Sequence, residues 1–413
     1  MTAKHITPPQ SCTGCGLCAN VCSKDAIRME WSKEGFLVPQ VDISACINCG
    51  LCVKMCPAQP GAMDNETYAD DIDAVVAYGG WNNDTDIHQN SSSGGVFSAL
   101  AQHVFAERGC VFGVVWKDKE TATFAKAENM EQLAPMRSSK YTQAEPDYVY
   151  REVKQELQRG KQVMFTGTAC QVYALKKYLR KDYDNLLTVD IVCHGVPSRK
   201  LLQAYVKHYE QLQGKELKEV YFRFKDGNWQ EYKVQKRFKD GSVLNHPNGQ
   251  DLFMNLFIGD KLLNRCCYNC PHAHLPRPAD ITLGDYWGDL QSKHPEWPIK
   301  EGIGSVVINS EKGEIVLRML VTNKKASLHR VHFRSVYNGQ TRSYLRTSND
   351  VTPKDRKSIL LLLNKKDLSK IFSSYYNYTR IGSIQVRNNG FIHRLYLFLR
   401  KLVSKIKRIF LNK

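Results

Sequence analysis

The chain has 413 residues, of which 42% are hydrophobic, and carries a formal net charge of +17. That length suggests two to three domains. No run of about 18 apolar residues occurs, which excludes a membrane-spanning helix, and Met1 to Gln10 lack the apolar core of an export signal. Fourteen cysteines in such a chain point to a reducing cytoplasm and to metal chemistry rather than to disulfides. The basic charge raises nucleic acid as a partner, but no nucleic-acid module is present and none is expected to bind.

The first element in chain order is a doubled cysteine run. Cys12, Cys15, Cys18 and Cys22 have the same spacing as Cys46, Cys49, Cys52 and Cys56, and Pro57 follows the second run. In two-cluster proteins three thiolates of one loop hold a 4Fe-4S cluster and the fourth crosses to the other. The expected sets are Cys12, Cys15, Cys18 with Cys56, and Cys46, Cys49, Cys52 with Cys22. Gly14, Gly16 and Gly50 suit backbone that wraps a cluster. Ser23 stands where the first run usually has proline. Zinc sites use paired cysteines instead of two such runs. This stretch resembles a bacterial-type two-cluster ferredoxin, and a domain over residues 1–65 is expected.

Residues 64–73 turn polar and acidic and read as a linker. A strand is expected from Ala74. Ser91, Ser92, Ser93, Gly94 and Gly95 then precede a helical pattern that runs to about Arg108. Such a loop at a helix N-terminus offers N–H groups to an anion, and the same residues serve an ordinary N-cap. Cys110, in an apolar strand from Gly109 to Trp116, reads as a small core residue. Arg137 to Tyr141 form a basic, hydroxyl-rich loop. Tyr150 to Arg159 read as a surface helix.

A strand from Gln162 leads into Gly167, Thr168, Ala169 and Cys170, with a helix from Val172 to Leu179. A second strand, Leu186 to Val192, ends at Cys193 and His194. Ligands of α/β folds bind at the carboxyl ends of strands, so Cys170 and Cys193 are placed to face a common site. Residues 219–243 read as hairpins. Cys267 and Cys270 have ligand spacing and, with Cys170 and Cys193, complete a four-thiolate set for a third cluster. A zinc clip and unconnected buried thiols are the alternatives, and Cys266 is an alternative to Cys267. From residue 305 to about 390 the pattern is weak. Residues 391–413 read as a basic amphipathic helix, with Phe391, Leu395, Phe398, Leu399, Leu402, Ile406 and Ile409 on one face and no acidic residue. It suits peripheral contact with an anionic membrane surface, and docking on protein is the alternative.

Six motifs occur in order: Ser91–Phe97, Arg137–Tyr141, Gly167–Gln171, Cys193–Ser198, Cys267–Pro271 and Asp280–Gly288. Together they resemble the beta subunit family of coenzyme F420 hydrogenases and dehydrogenases, over roughly residues 74–310. The resemblance implies a mixed α/β flavin-binding domain behind the ferredoxin-like one, hence an α/β (α+β) chain, with a family N-terminal region at 74–136, a C-terminal region with the third cluster at 137–310, a variable region at 311–390 and the tail helix. It implies noncovalent FAD and a third 4Fe-4S cluster held by Cys170, Cys193, Cys267 and Cys270. Ser92, Ser93, Gly94, Gly95 and Thr168 would contact the flavin. Lys140 would lie close to its ring as a cation, and His194 is a candidate proton donor, with a structural role as the alternative. Thr-Ala-Cys replaces the family's Thr-Pro-Cys after Gly167. The function implied is an oxidoreductase on the cytoplasmic face of the membrane. It would join the clusters and FAD to a redox partner protein or small carrier and to coenzyme F420 or a small or lipid-linked metabolite, as in surface polysaccharide synthesis. An electron-transfer subunit without its own substrate and a redox sensor are the other readings.

Overall fold

Each half of the ferredoxin-like segment is built the same way. A glycine in the left-handed region, Gly16 (φ 76°, ψ 4°) or Gly50 (φ 74°, ψ 0°), opens a short helix, α1 (Leu17–Val21) or α2 (Leu51–Met55). An extended cysteine follows, Cys22 (φ -73°, ψ 110°) after α1 and Cys56 (φ -69°, ψ 120°) after α2. Only glycine takes that entry conformation without strain. Between the two helices β1 (Ile27–Trp31) and β2 (Leu37–Val41) pair antiparallel, with Ile27 opposite Val41. The computed structural model describes residues 10–59, 71–288, 290–337 and 356–364, together with His5, Ile6, Pro8 and Ala62. The tail helix expected at 391–413, and most of the expected linker, lie outside the described residues.

The rest is organised on a nine-stranded mixed sheet. Its strands are β3 (Val76–Asn82), β4 (Cys110–Trp116), β5 (Ala122–Ala127), β6 (Ala144–Glu145), β7 (Val163–Thr168), β8 (Leu186–Ile191), β12 (Ile281–Asp285), β13 (Gly304–Ile308) and β14 (Ala326–His332). Their order is β14-β3-β13-β12-β8-β7-β4-β5-β6, and β12, β8, β7 and β4 run parallel at its centre. The intervening β9 (Leu217–Phe224), β10 (Lys233–Phe238) and β11 (Val243–Pro247) make a separate antiparallel sheet, at the hairpins expected from the sequence.

Alternate residues of a strand point to opposite faces, and the core shows it. Val111 and Met164 join one face with α3 (Val96–Ala106) and a helix over Glu311–Thr322. Phe112 and Phe165 join the other with α4 (Val149–Gln158) and α5 (Ala169–Leu179). That second core also contains Leu17, Val21 and Ile27 of the ferredoxin-like segment. The segment is therefore packed onto the sheet domain through shared apolar burial.

One expectation needs correction. The helix expected as a surface element, α4, buries Val149, Tyr150, Val153 and Leu157. Its alternation of charged and apolar residues is that of an amphipathic helix, and the ferredoxin-like segment covers it. The ranges 74–136 and 137–310 also share one sheet, and β14 extends that sheet into the range 311–390. β3 pairs with β13 and β14, strands more than two hundred residues later in the chain. Pairing at such separation leaves no local pattern for a boundary to be read from.

Hydrogen bonds fix the docking. Arg151 donates to the carbonyls of Asn20 (2.9 Å), Ala19 (3.1 Å) and Cys22 (2.8 Å), the open end of α1, and pairs with Asp25 at 2.7 Å. Gln143 donates to Thr13 O at 2.9 Å and accepts from Leu37 N at 2.8 Å. Unpartnered buried carbonyls cost about 1–3 kcal/mol each, so Arg151→Ala is expected to loosen the segment. Limited proteolysis should release it several-fold faster while the circular dichroism of the sheet domain is retained. Unchanged digestion would mean that the apolar contact alone holds the two parts together.

Candidate functional site

The carboxyl ends of the parallel strands β7, β8 and β12 open into a cavity of about 320 Å³. That is where an open α/β sheet places its ligands. The expected flavin contacts Ser92, Ser93, Gly94, Gly95, Lys140 and Thr168 all line it, as do His194, Cys170 and Cys193. Thr13 and Gly14 of the ferredoxin-like segment reach the same wall.

The loop from Ser91 to Gly95 is held from behind. Ser92 Oγ accepts from Ser139 N at 3.0 Å, which ties this loop to the one at 137–141. Ser93 Oγ donates to Ile303 O at 2.8 Å, and Trp229 Nε1 donates to Ser92 O at 2.9 Å. Lys225 Nζ donates to His88 O (2.7 Å), Ser93 O (2.8 Å) and Glu301 O, and burial pulls its pKa down to about 7. Gly94 allows the closest approach, since a Cβ there would stand 2.1 Å from Gly80 O and 2.6 Å from Gly304 N. The loop thus lies against the backbones of β3 and β13 and opens α3 toward the cavity.

Thr168 forms a capping box with Gln171, which starts α5 at Ala169, three residues earlier than the sequence pattern suggests. Its hydroxyl also lies 3.1 Å from Cys170 Sγ. Lys140 differs from the expectation of a cation facing a flavin. Its Nζ donates to Pro135 O (2.7 Å), Arg137 O (2.7 Å) and Ser138 O (3.1 Å), so its three protons brace its own loop. His194 packs edge-on against Phe257 and its Nε2 lies 2.9 Å from Asp260 Oδ1.

The sequence reading missed several groups here. Arg223, nearly buried, pairs with Asp285 of the cavity wall at 3.1 Å and lies over the Tyr232 ring at 4.0 Å. Arg223 at the end of β9 and Lys225 just past it, two apart in the sequence, were the available signal, because buried cations need partners. Arg137 Nε, Thr142 Oγ1 and Thr166 Oγ1 are buried with no hydrogen-bond partner among the described residues, and all three residues line the cavity. Each such group costs about 1–3 kcal/mol when left unmade, which a polar ligand would relieve.

The thiols fall into groups. Cys12, Cys15, Cys18 and Cys56 line one small cavity, the set expected for the first cluster. Burial pushes Cys12 up to about 12, and Cys15 and Cys56 add to it. Burial also raises Cys18, with Cys15, Cys12 and Cys56 following. Backbone N–H groups of Gly14, Leu17 and Ala58 oppose the rise at Cys12, Cys15 and Cys56, as hydrogen bonds to a thiolate do. Because α1 and α2 are built alike, Cys22 stands after α1 as Cys56 stands after α2. Cys49 of the second run is exposed.

A further group forms around the sheet. Burial pushes Cys193 up to about 12, and the neighbouring Cys267 and Cys270 add to it. Burial raises Cys170 well above its usual value, with Cys270, Cys193 and Cys15 contributing. Cys266 is raised by its hydrogen bond to Cys267, the sulfurs 3.9 Å apart, and then by burial. The structure therefore gathers Cys170, Cys193, Cys267 and Cys270, with Cys266 as a fifth thiol beside them. Cys110 is buried in β4 as a core residue, as expected. Buried thiols that raise one another's pKa suit a metal group that takes them as thiolates and releases their protons. A single zinc at about 2.3 Å would draw its sulfurs to within roughly 4 Å of one another. Among the described residues no three metal-type side chains converge so closely.

Residues 160–332 match the family model for the C terminus of the coenzyme F420 hydrogenase/dehydrogenase beta subunit, and residues 11–59 match that of the 4Fe-4S dicluster domain. The chain thus joins a stretch similar to the 4Fe-4S dicluster domain to one similar to the C terminus of that beta subunit. It is an iron–sulfur electron-transfer protein. No curated protein matches. Among solved structures, a chain of the F420-reducing [NiFe] hydrogenase complex from Methanosarcina barkeri is 18% identical, with a TM-score of 0.46 over 75% of this chain and 94% of that chain. Among the described residues no helix is long and apolar enough to cross a membrane.

The beta-subunit region supplies Cys170, Cys193, Cys267, Cys270 and most of the cavity wall, while the dicluster domain supplies Thr13 and Gly14. The Ser91–Gly95 loop lies ahead of the matched residues but belongs to the same wall. Gly94→Ala must push that loop off β3 and β13. A loss of about 1–3 kcal/mol is expected, read as a lower urea midpoint with an unchanged slope. An unaltered midpoint would show that the loop yields freely.

Proposed function

We propose that this chain is a flavin-containing iron–sulfur oxidoreductase with three 4Fe-4S clusters. One observation supports the reading most. The cavity with three orphaned polar atoms is walled by Cys170 and Cys193, and Cys170 neighbours Cys15 of the dicluster domain. Cys12, Cys15, Cys18 and Cys56 would hold the cluster next to the sheet domain. Cys46, Cys49, Cys52 and Cys22 would hold the outer one, and Cys170, Cys193, Cys267 and Cys270 the third.

When bound, the clusters supply single-electron transfer and FAD supplies the exchange between one- and two-electron steps. The chain's own residues do the rest. Tyr150, whose hydroxyl donates to Cys15 O at 2.7 Å, and Asn264, which donates to Cys12 O at 3.1 Å, fix the inner cysteine loop against the third thiol group. The Ser91–Gly95 backbone at the start of α3 would take the flavin diphosphate. Arg137 Nε, Thr142 Oγ1 and Thr166 Oγ1 would meet its polar edges. His194, aligned by Asp260, would hold or release a proton at the rim. The second substrate would be coenzyme F420 or a small or lipid-linked metabolite. The alternative, a subunit with no substrate of its own, shares every element up to the flavin and gives dye reduction without metabolite turnover.

Anaerobic purification followed by iron, zinc and flavin counts tests this. About twelve irons and one FAD per chain are expected. Cys170→Ala should remove about four irons and leave the dicluster signals. Arg137→Ala should lower flavin occupancy at least about fivefold, as loss of a charged hydrogen bond does, with iron unchanged. About eight irons, one zinc and no flavin would overturn the proposal.

A further inference from the structure

The outer cysteine set has surroundings of its own. Cys22 lies in the wall of an open cleft of about 360 Å³ where α1 meets α4 and α5. Arg151, Lys154 and Arg180 line this cleft, and no carboxylate does. Arg151 is turned to the α1 carbonyls and Asp25. Lys154 lies over the Tyr178 ring at 5.6 Å, and Arg180 is exposed at the end of α5. On the loop of the second cysteine run, Ile43 and Ile47 are 62% and 59% exposed and Cys49 is exposed with them. The inner set differs, since its Cys15 neighbours Cys170 of the sheet domain.

We infer that the cationic cleft and the isoleucine loop together form the docking surface for an acidic one-electron carrier protein. This rests on the reading that Cys22 joins Cys46, Cys49 and Cys52 around a cluster. The carrier is oxidised by one electron and this chain is reduced by one; no bond forms and no proton moves. Lys154 and Arg180 attract and orient an acidic partner, which raises the encounter rate. Ile43 and Ile47 give the encounter a dry centre. A free anion such as phosphate would account for the cleft, but not for two exposed isoleucines on the loop of the second cysteine run.

The test uses the full-length holoprotein, with iron counted first. A wild-type chain lacking the dicluster iron would defeat the underlying reading before any kinetics. Stopped-flow reduction by an acidic 2Fe-2S ferredoxin is then compared with reduction by the methyl viologen radical cation. The variant is Lys154→Glu with Arg180→Asp. Arg180 has φ 60°, which aspartate tolerates better than most residues. The ferredoxin rate constant should fall at least about tenfold at low ionic strength, and its salt dependence should flatten. Viologen reduction should not slow, and iron content should stay the same. Ile43→Ser with Ile47→Ser should slow the ferredoxin reaction while keeping the wild-type salt dependence. An unchanged ferredoxin rate in the charge variant, or equal slowing with viologen, overturns the inference. So does phosphate binding at the cleft that leaves the ferredoxin rate untouched at matched ionic strength.

Discussion

The contact on which the arrangement depends is the seating of α1 on α4. Apolar packing of Leu17 and Val21 against Val153 and Leu157 brings the two parts together, and that term has no direction. Direction comes from Tyr150, Arg151, Gln143 and Asn264, each of which bonds a backbone carbonyl of a cysteine loop or of α1. Carbonyls are fixed in the chain as flexible side chains are not. Bonding four side chains from three segments of the sheet domain to them sets the position of the inner cysteine loop. Cys15 lies near Cys170 for that reason.

The cavity is built on a related principle. Its two loops need polar groups free on the inner side, so they are stabilised from the outer side. Lys225, Trp229 and Arg223 of the β9–β10 region reach the carbonyls of His88, Ser92 and Ser93, and Lys140 fastens its own loop. These buried cations bear a desolvation cost that the carbonyl dipoles and the Arg223–Asp285 pair offset. The deeper Lys236–Asp251 pair at 2.6 Å, fully buried with Tyr205 on the same carboxylate, anchors the small sheet whose β9–β10 connection carries Lys225 and Trp229. The fold thus holds much of its buried charge behind the site rather than in it.

This division explains what the sequence made legible. Cysteine spacing is a local signal, so both dicluster runs and the Cys267–Cys270 pair were readable. Strand ends were too, which placed Cys170 and Cys193 just past the ends of two strands of one sheet. The Ser/Gly loop and the 137–141 loop were found as motifs and do line one cavity. What failed to show was direction. Lys140 has the composition of a ligand-facing cation, and only three-dimensional placement reveals three carbonyls around its nitrogen. Arg151 and Tyr150 looked like surface helix because their partners lie about 130 residues away. The pairing of β3 with β13 and β14, which puts residues of 74–136 and 137–310 in one sheet, is equally remote and left no local signal.

The two cysteine sets of the dicluster domain are near copies in backbone, yet their surroundings are opposite. One is enclosed by Ile6, Met29 and Pro39 and touches the sheet domain. The other exposes Cys49 and borders a cationic cleft. Burial disfavours the more charged state of a cluster, and exposure and nearby cations favour it. A two-fold backbone placed in an asymmetric setting therefore gives one repeated loop two different surroundings, which would set clusters held there at different potentials. Identical loops free in solution would have no such bias. It is the docking on α4, which buries one end and leaves the other open, that supplies an inner and an outer end.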